Sequence, residues 1–143
     1  MTNERELLET AARAAGMRVL AGETEARAMG MRIFAYGEAR PEESIAWFWS
    51  ETSGKRCLWS AAYPMRAWNP LHDDGDAFRL AVHLRMPIWF DEMSTTADQR
   101  KCGDPGWRVE TGVYDLGGYA ATRLAIVRAA AERTTAQGAS QCE

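Results

Sequence analysis

The stretch that decides the fold is a pair of tryptophan-rich segments joined by a short polar loop, Ile45-Ala46-Trp47-Phe48-Trp49-Ser50-Glu51-Thr52-Ser53-Gly54-Lys55-Arg56-Cys57-Leu58-Trp59. Aromatic and β-branched residues favour strands, and a short loop that contains Gly suits a hairpin between them. Successive side chains of a strand point to opposite faces, so Trp47 and Phe48 face different ways. Because both faces are apolar, the sequence predicts that helices cover the sheet on both sides.

Three helical stretches supply this cover. The first is predicted over residues 4–15, where Asn3 suits the N-cap and Gly16 ends the helix. The second follows Asp73, whose carboxylate suits an N-cap, and its predicted buried stripe consists of Ala77, Leu80, Ala81 and Leu84. The third is an Ala-rich helix over residues 119–133. Its predicted buried side consists of Ala120, Leu124, Val127 and Ala131.

The remaining segments complete the predicted layout. Residues 31–36, 87–90 and 107–114 have strand character, residues 40–43 form a turn, and the polar residues 91–106 are expected to form an exposed loop. This order predicts an α+β fold in which about three helices sandwich a largely antiparallel sheet in α-β-α layers. We expect one domain over residues 1–134 and a frayed C-terminal tail over residues 135–143.

Composition and charge exclude several classes of protein. A net charge of -3 argues against a protein that holds nucleic acid by neutralising many phosphates. The sequence contains no apolar run near the roughly 18 residues of a membrane span, and its charged start lacks the layout of a secretory signal. Cys57, Cys102 and Cys142 are far apart and include no C-x-x-C pair. We therefore expect free thiols and a reducing cytoplasm.

Two segments carry a resemblance to a known family. Residues 68–82 read Trp-Asn-Pro-Leu-His-Asp-Asp-Gly-Asp-Ala-Phe-Arg-Leu-Ala-Val, and residues 119–130 read Tyr-Ala-Ala-Thr-Arg-Leu-Ala-Ile-Val-Arg-Ala-Ala. Together they resemble the phage ABA sandwich domain of small tailed-phage and prophage proteins, and more distantly the NinX-like phage proteins. Residues 5–12 fit the same pattern, whereas the region from 31 to 60, which holds the hairpin, departs from it.

The resemblance implies a sheet sandwiched by helices, in agreement with the pattern of the hairpin. It also implies a phage or prophage accessory gene that is expressed in a bacterial cytoplasm. It implies no established activity, catalytic residue or cofactor, so no chemistry is transferred to this chain.

Asp73, Asp74 and Asp76 place three carboxylates in one predicted helical turn. Such a cluster suits a divalent metal ion or an acid/base pair. Carboxylates also accumulate at helix N-termini because the free N–H groups and the helix dipole attract them. The alternating oxygen ligands and the distant Glu of a calcium loop are absent, so the pattern favours capping over a metal site.

Arg123 lies near the apolar side of its predicted helix, between Ile126 and Val127 on the helical wheel. A buried charge requires a partner, and the three aspartates are candidates for an ion pair across the fold. The alternative is an arginine that binds a ligand. The candidate ligand-binding residues are therefore Trp68, Asn69, Asp73, Asp74, Asp76 and Arg123.

Other residues carry weaker indications of a site. His72 and His83 lack the neighbours of a zinc site, and His83 falls beside Arg79 and Asp76 on a predicted solvated helix face. The glycines at 117–118 suit a turn more than a phosphate loop. The six Trp either stack on bases or fill the core, and a chain poor in aliphatic residues favours the core. We predict no catalytic residue, metal ligand or cofactor.

Phe78 and Val82 lie four residues apart, away from the buried stripe of the second helix. They suit a homodimer or partner surface, or the support of a loop. Taken together, the sequence predicts a non-enzymatic binding protein, encoded by a phage or prophage, that contacts a host protein or sequesters a small ligand. The alternatives are a small metal-assisted hydrolase, in which the three aspartates hold the metal and Arg123 steadies an anionic substrate, and a nucleotide-binding module.

Overall fold

The computed structural model describes residues 3–33, 45–51, 54–90, 94–98, 107–111 and 117–136. Within these residues the helices are α1 (Glu4–Ala14), α2 (Glu23–Met29), α3 (Asp74–His83) and α4 (Gly118–Ala136). The strands are β1 (Arg18–Val19), β2 (Arg32–Ile33), β3 (Ala46–Ser50), β4 (Cys57–Ser60), β5 (Ala62–Tyr63), β6 (Ala67–Trp68), β7 (Ile88–Phe90), β8 (Ser94–Asp98) and β9 (Trp107–Thr111).

The described strands pair into three sheets. A mixed four-stranded sheet has the order β1-β3-β4-β6, a parallel pair joins β2 to β5, and an antiparallel sheet has the order β7-β8-β9. Four of the six pairings are antiparallel. Helices pack against the four-stranded and the three-stranded sheet, so the predicted α+β class is confirmed.

The tryptophan-rich hairpin is present, with β3 and β4 antiparallel and Phe48 opposite Trp59. Trp47 packs in the larger core, where side chains of α1, α3 and α4 meet one face of the sheet. Phe48 packs in a smaller core on the other face, against Ala26 of α2. The predicted cover on both faces is therefore confirmed. One of the covering helices, α2, lies in a stretch for which the sequence pattern predicts no element.

Helix α1 follows the expected signals at both ends. The side chain of Asn3 accepts a hydrogen bond from the Arg5 backbone N–H at 3.2 Å, which satisfies one free donor at the helix start. Gly16 adopts a left-handed conformation with a φ of 80°, which stops the helix. The inward face of α1 carries Leu8 and Ala11, both fully buried.

The expectation that residues 91–106 form an exposed loop is wrong for β8. This strand lies in the centre of its sheet, paired with β7 on one side and β9 on the other, and Ala97 is fully buried. Its sequence, Ser-Thr-Thr-Ala-Asp, is polar, but the β-branched threonines favour strands. Pairing on both sides and packing against α4 stabilise a strand that hydrophobicity alone does not indicate.

The predicted buried stripe of α4 is also partly wrong. Val127 and Ala131 are buried as expected, but Ala120 and Leu124 are half-buried. The additional buried residues are Ala121, Ala125, Ile126, Ala129 and Ala130. The helix contacts α1, α3, β8 and β9, so neighbours cover most of its circumference and a single stripe does not describe it.

Several sequence predictions fall partly outside the described residues. The predicted strand over residues 31–36 is represented by Arg32–Ile33, and the predicted turn at 40–43 lies outside the described part. Helix α4 extends to Ala136, and residues 137–143 of the expected tail also lie outside it. Within the described part, none of the helices is both long and apolar enough to cross a membrane.

Candidate functional site

The aspartates before and within the first turn of α3 have structural partners inside the protein. Asp73 Oδ1 accepts a hydrogen bond from the Asp76 backbone N–H at 2.8 Å, which is the predicted N-cap. The buried carboxylate of Asp76 accepts from the Asn69 backbone N–H at 2.8 Å and from Arg79 Nη2 at 2.9 Å. Both oxygens of Asp76 are therefore occupied, and the segment before α3 is held against the helix.

Of the three aspartates that the sequence offers as partners for Arg123, Asp74 forms the ion pair. Arg123 Nη1 lies 2.5 Å from Asp74 Oδ1, and Arg123 Nε donates to the Leu71 carbonyl oxygen at 2.8 Å. At the other end of α3, Arg133 Nη1 donates to the Leu84 carbonyl oxygen at 2.6 Å. Two arginines of α4 thus hold both ends of α3, and the ion-pair interpretation of Arg123 is confirmed.

These contacts argue against the interpretation of the three aspartates as a metal site. Asp73, Asp74 and Asp76 are directed at three different protein partners, as the preceding contacts show. The described residues contain no group of three His, Cys, Asp or Glu side chains that could hold a metal ion. The geometry therefore favours capping and ion pairing over metal binding at this turn.

One cleft, here named the polar cleft, opens between the start of α3, the start of α1 and strands β4 and β6. It has a volume of about 580 Å³, and its charged and polar lining includes Glu4, Lys55, Arg56, Asn69, His72 and Arg79. His72 Nε2 lies 2.9 Å from Glu4 Oε1, and Arg56 Nε lies 3.0 Å from Glu51 Oε1. Arg56 is therefore paired with Glu51 beside the polar cleft, and His72 lies within hydrogen-bond distance of Glu4.

Cys57 lines the polar cleft, but its side chain is almost fully buried, with 1% of the residue exposed. Burial raises the pKa of the Cys57 thiol, and Asp76 adds to this increase, while Lys55 and a hydrogen bond with the Trp68 backbone oppose it. A buried neutral thiol is a poor nucleophile and a poor metal ligand. The chemistry of Cys57 is therefore that of a core residue.

A second cleft, here named the aromatic cleft, lies between strands β3 and β6 and the middle of α3. Its apolar lining consists of Ala15, Met17, Trp47, Trp68 and Leu80, of which Trp47 and Leu80 are almost fully buried. Its rim carries the exposed residues Arg66, Arg79 and His83. Its volume of about 520 Å³ is within the range of small-molecule sites, roughly 300 to 1,000 Å³. Apolar walls with a few convergent polar groups are typical of such sites.

Arg66 is held in place at the rim of the aromatic cleft. Its guanidinium carbon lies 5.3 Å from the centre of the Trp47 ring, within the range of a cation–π contact. Its backbone N–H donates to Ser60 Oγ at 2.7 Å, and its carbonyl oxygen accepts from the Ser60 N–H at 2.9 Å. Trp47 is only 1% exposed, so the ring beneath the guanidinium is itself fixed by the core.

The two clefts share Ala67, Asp76 and Arg79, so they lie side by side along α3. Of the residues predicted from the sequence, Trp68 and Asp76 line the aromatic cleft, and Asn69, Asp73 and Asp76 line the polar cleft. Asp74 and Arg123 line neither of these clefts and form the ion pair between helices instead.

Sequence reasoning did not select Arg66 or Arg79 as site residues. It favoured the core over base stacking for the tryptophans, and Trp47 is indeed a core residue that is 1% exposed. One signal was present, because Asp76, Arg79, Leu80 and His83 recur at helical spacing and share a face of α3. No local pattern places Arg66 over Trp47, since this contact depends on the pairing of β4 with both β3 and β6.

The structure also describes the other residues that the sequence analysis considered for a surface or site. Phe78 and Val82 are exposed on the outer face of α3, at 68% and 58% respectively. His83 is exposed, as the solvated-face interpretation predicted. Gly117 has a φ of 81° immediately before α4, which fits the expected turn.

No family model, curated protein or solved structure matches this chain. The functional conclusion therefore depends on the geometry and chemistry of the clefts beside α3.

Proposed function

We propose that the protein is a non-enzymatic binding protein whose aromatic cleft holds a small ligand. The observation that carries this proposal is a concave space of about 520 Å³ with apolar walls and two arginines at its rim. Apolar walls provide binding energy by excluding water from the ligand, and a few polar groups fix its orientation. The sequence predicts two kinds of binding partner, a host protein or a small ligand. A small ligand fits the geometry of the aromatic cleft better than a host protein does.

The chemistry of the nearby reactive groups supports binding rather than catalysis. The Cys57 thiol is buried and its pKa is raised, so it is a weak nucleophile. The carboxylates of Asp73 and Asp76 accept hydrogen bonds within the protein, and Asp74 pairs with Arg123. A general acid or base must instead reach the proton that it transfers.

We further propose that this binding protein acts in a bacterial cytoplasm and is encoded by a phage or prophage. The proposed location and phage origin rest on the resemblance of residues 68–82 and 119–130 to the phage ABA sandwich domain. The resembling segments supply Trp68, Asp76 and Arg79 to the clefts and Arg123 to the interface between α3 and α4. A ligand-sequestering accessory protein fits both the resemblance and the aromatic cleft.

Native mass spectrometry tests the proposed function. The protein is produced in a bacterial host, incubated with the low-molecular-mass fraction of a bacterial extract, and measured under gentle conditions. We expect a discrete additional mass on the wild-type protein. Ala67→Phe places a large side chain in the shared wall of the clefts and is expected to abolish that mass. Ala28→Phe, at an exposed position of α2 away from both clefts, is the matched control and is expected to retain it.

An unliganded wild-type mass after this incubation contradicts the proposed function. An additional mass that Ala67→Phe retains places the ligand outside the clefts. Circular dichroism of both variants shows whether the loss of ligand reflects a filled cleft or an unfolded chain.

A second candidate function is suggested by Phe78 and Val82, which present neighbouring apolar side chains to solvent. Large exposed apolar side chains four residues apart on one helix face are typical of protein–protein surfaces. For a second copy of this chain, sedimentation is expected to show self-association that the double variant Phe78→Ser, Val82→Ser removes. Identical monomeric sedimentation of both proteins contradicts a homodimer through this face.

A further inference from the structure

We propose that the ligand is a short peptide in extended conformation, whose main chain pairs with the open edge of β6 at Ala67. This inference rests on the proposed function, since it names the ligand class for the aromatic cleft, which Ala67 lines. It depends on the direction of the Ala67 backbone groups, on the partners of the groups next to them, and on the shape of the space between β6 and α3.

The backbone N–H and C=O of Ala67 point away from β4. Strand β6 lies at the edge of its sheet, and Ala67 is opposite Trp59 of β4. In the next pair along this ladder, the Ser60 N–H donates to the Arg66 carbonyl oxygen at 2.9 Å. Hydrogen-bonded and non-hydrogen-bonded pairs alternate in an antiparallel ladder, so Ala67 and Trp59 form a non-hydrogen-bonded pair. Both polar backbone groups of Ala67 therefore face the open edge.

The next outward-facing residue, Asn69, has partners inside the protein, whereas Ala67 does not. The Asn69 N–H donates to Asp76 Oδ2 at 2.8 Å, so the open edge faces α3. The Asn69 carbonyl oxygen accepts from the backbone N–H groups of His72 and Asp73 at 3.0 and 2.9 Å. Within the described part of the chain, the N–H and C=O of Ala67 have no hydrogen-bond partner. An edge with an unused donor and acceptor is a template for another strand.

The two clefts form one groove along this edge. The polar cleft contains Asn69 of the chain after β6 and Asp73 at the start of α3, whereas the aromatic cleft contains Arg66 and, at the end of α3, His83. Ala67 lines both clefts, so they follow one another along the strand. Helix α3 forms the opposite wall of the groove. A single extended chain fits between a strand and a helix, whereas the edge of a second folded copy is too wide.

An extended peptide has the chemistry that this edge requires. One peptide residue presents its N–H and C=O on the same side, where they match the C=O and N–H of Ala67 in a hydrogen-bonded pair. The addition of a peptide as an extra strand is a recurrent mode of recognition, in which main-chain hydrogen bonds provide the affinity. Because the outward groups of Asn69 are already occupied, pairing ends before this residue. This limit favours a short peptide.

The experiment uses the acetylated and amidated peptide Thr-Val-Thr-Val-Thr, whose β-branched residues favour an extended chain. Its analogue with every backbone amide of the five residues N-methylated lacks the donors and is expected to bind about tenfold or more weakly to the full-length protein. Amide hydrogen exchange of 15N-labelled protein is measured with and without the peptide. We expect the exchange of the Ala67 N–H to slow about tenfold or more at saturation. The Trp68 N–H, which faces β4, is the control and is expected to exchange at the same rate with and without peptide.

A proline at position 67 removes the proposed donor without removing a hydrogen bond to β4. Proline is tolerated in edge strands where the N–H faces outward. Ala67→Pro is therefore expected to bind the peptide about fivefold or more weakly, as the loss of one hydrogen bond predicts. Ala67→Ser keeps the backbone N–H and is the matched control, expected to bind within about twofold of the wild type. Circular dichroism checks the fold of both variants, and the wild-type exchange and the N-methylated peptide decide the question if Ala67→Pro does not fold.

The outcomes separate this inference from the proposed function. Absence of peptide binding, equal binding of the N-methylated analogue, or unchanged exchange of the Ala67 N–H overturns the pairing with β6. The proposed function stands or falls on the additional mass measured after incubation with the extract. If that mass persists after the extract fraction has been digested completely to amino acids, the small-ligand cleft stands and the peptide class is overturned.

Discussion

Arg123 is the side chain whose environment was most clearly indicated by the sequence. It lies on a helix lined with Ala, Ile and Val, and a charge in such a position needs a partner. The structure provides two, the Asp74 carboxylate and the Leu71 carbonyl oxygen. The side chain is only 18% exposed, so water replaces these contacts poorly when the guanidinium is removed.

Arg123→Ala is expected to lower the free energy of unfolding by about 1 to 3 kcal/mol, because it removes two hydrogen bonds and leaves the Leu71 carbonyl without this donor. Asp74 is 64% exposed, so solvent screens the ion pair and the bond to Leu71 provides much of the effect. Arg27→Ala is the control, since Arg27 is 79% exposed and pairs with Glu23 on the surface of α2. Urea unfolding that gives equal losses for the two variants contradicts a structural role of Arg123.

Cys57 predicts how stability depends on pH. Because its pKa is raised in the folded protein, the unfolded chain loses its thiol proton first as the pH rises. The stability associated with this thiol is present below the ordinary thiol pKa and is lost as the pH rises above it, through the pKa of the folded protein. We expect the free energy of unfolding of the wild type to fall more steeply than that of Cys57→Ala over this range. Parallel curves for the two proteins contradict the raised pKa.

Among the elements, those with local signals were predicted and those set by their neighbours were not. The caps of α1 and α3 and the hairpin of β3 and β4 follow from residues adjacent in the chain. Strand β8 has a polar sequence, and its existence depends on pairing with β7 and β9. The candidate site could not be predicted for the same reason. The contact between Arg66 and Trp47 requires the pairing of β4 with both β3 and β6, which no local sequence pattern indicates.

The N-cap of α3 predicts a difference between two substitutions at the same residue. Asp73→Ala removes the acceptor for the Asp76 N–H and is expected to cost about 1 kcal/mol of stability. Asp73→Asn keeps an acceptor of similar geometry and is expected to stay within a few tenths of a kcal/mol of the wild type, by the same ranking of capping residues. Thermal unfolding at neutral pH measures both. If Asp73→Ala and Asp73→Asn lose a similar amount of stability, the hydrogen bond of the N-cap is not what stabilises α3.

For the whole molecule, the sheet that contains the hairpin separates two cores. The larger core joins the sheet to α1, α3 and α4, and the smaller one joins it to α2. Both clefts lie on the side of the larger core, beside the edge strand β6, and α3 forms their opposite wall. The contacts of Arg123 and Arg133 with the two ends of α3 therefore fix the position of this wall.

The separation of the cores predicts that substitutions on opposite faces add. Leu20→Ala in the smaller core is expected to cost about 2 to 5 kcal/mol, and Ile126→Val in the larger core about 0.5 to 1.5 kcal/mol. The double variant is expected to lose the sum of the two within about 0.5 kcal/mol, because the residues share no partners. Chemical denaturation of the wild type, the two single variants and the double variant measures these losses. If the loss in the double variant differs from the sum by well over about 0.5 kcal/mol, the two cores act as one unit.

The proposed function requires that the aromatic cleft is the binding site. The most direct test is to add the low-molecular-mass fraction of a bacterial extract to 15N-labelled protein in increasing amounts and to follow the indole N–H signals of the tryptophans. We expect the signals of Trp47 and Trp68, which line the cleft, to shift together and saturably, while Trp59, packed against the smaller core, stays in place. Shifts confined to Trp59, or indole signals that do not move with a fraction that gives the additional mass, would contradict it.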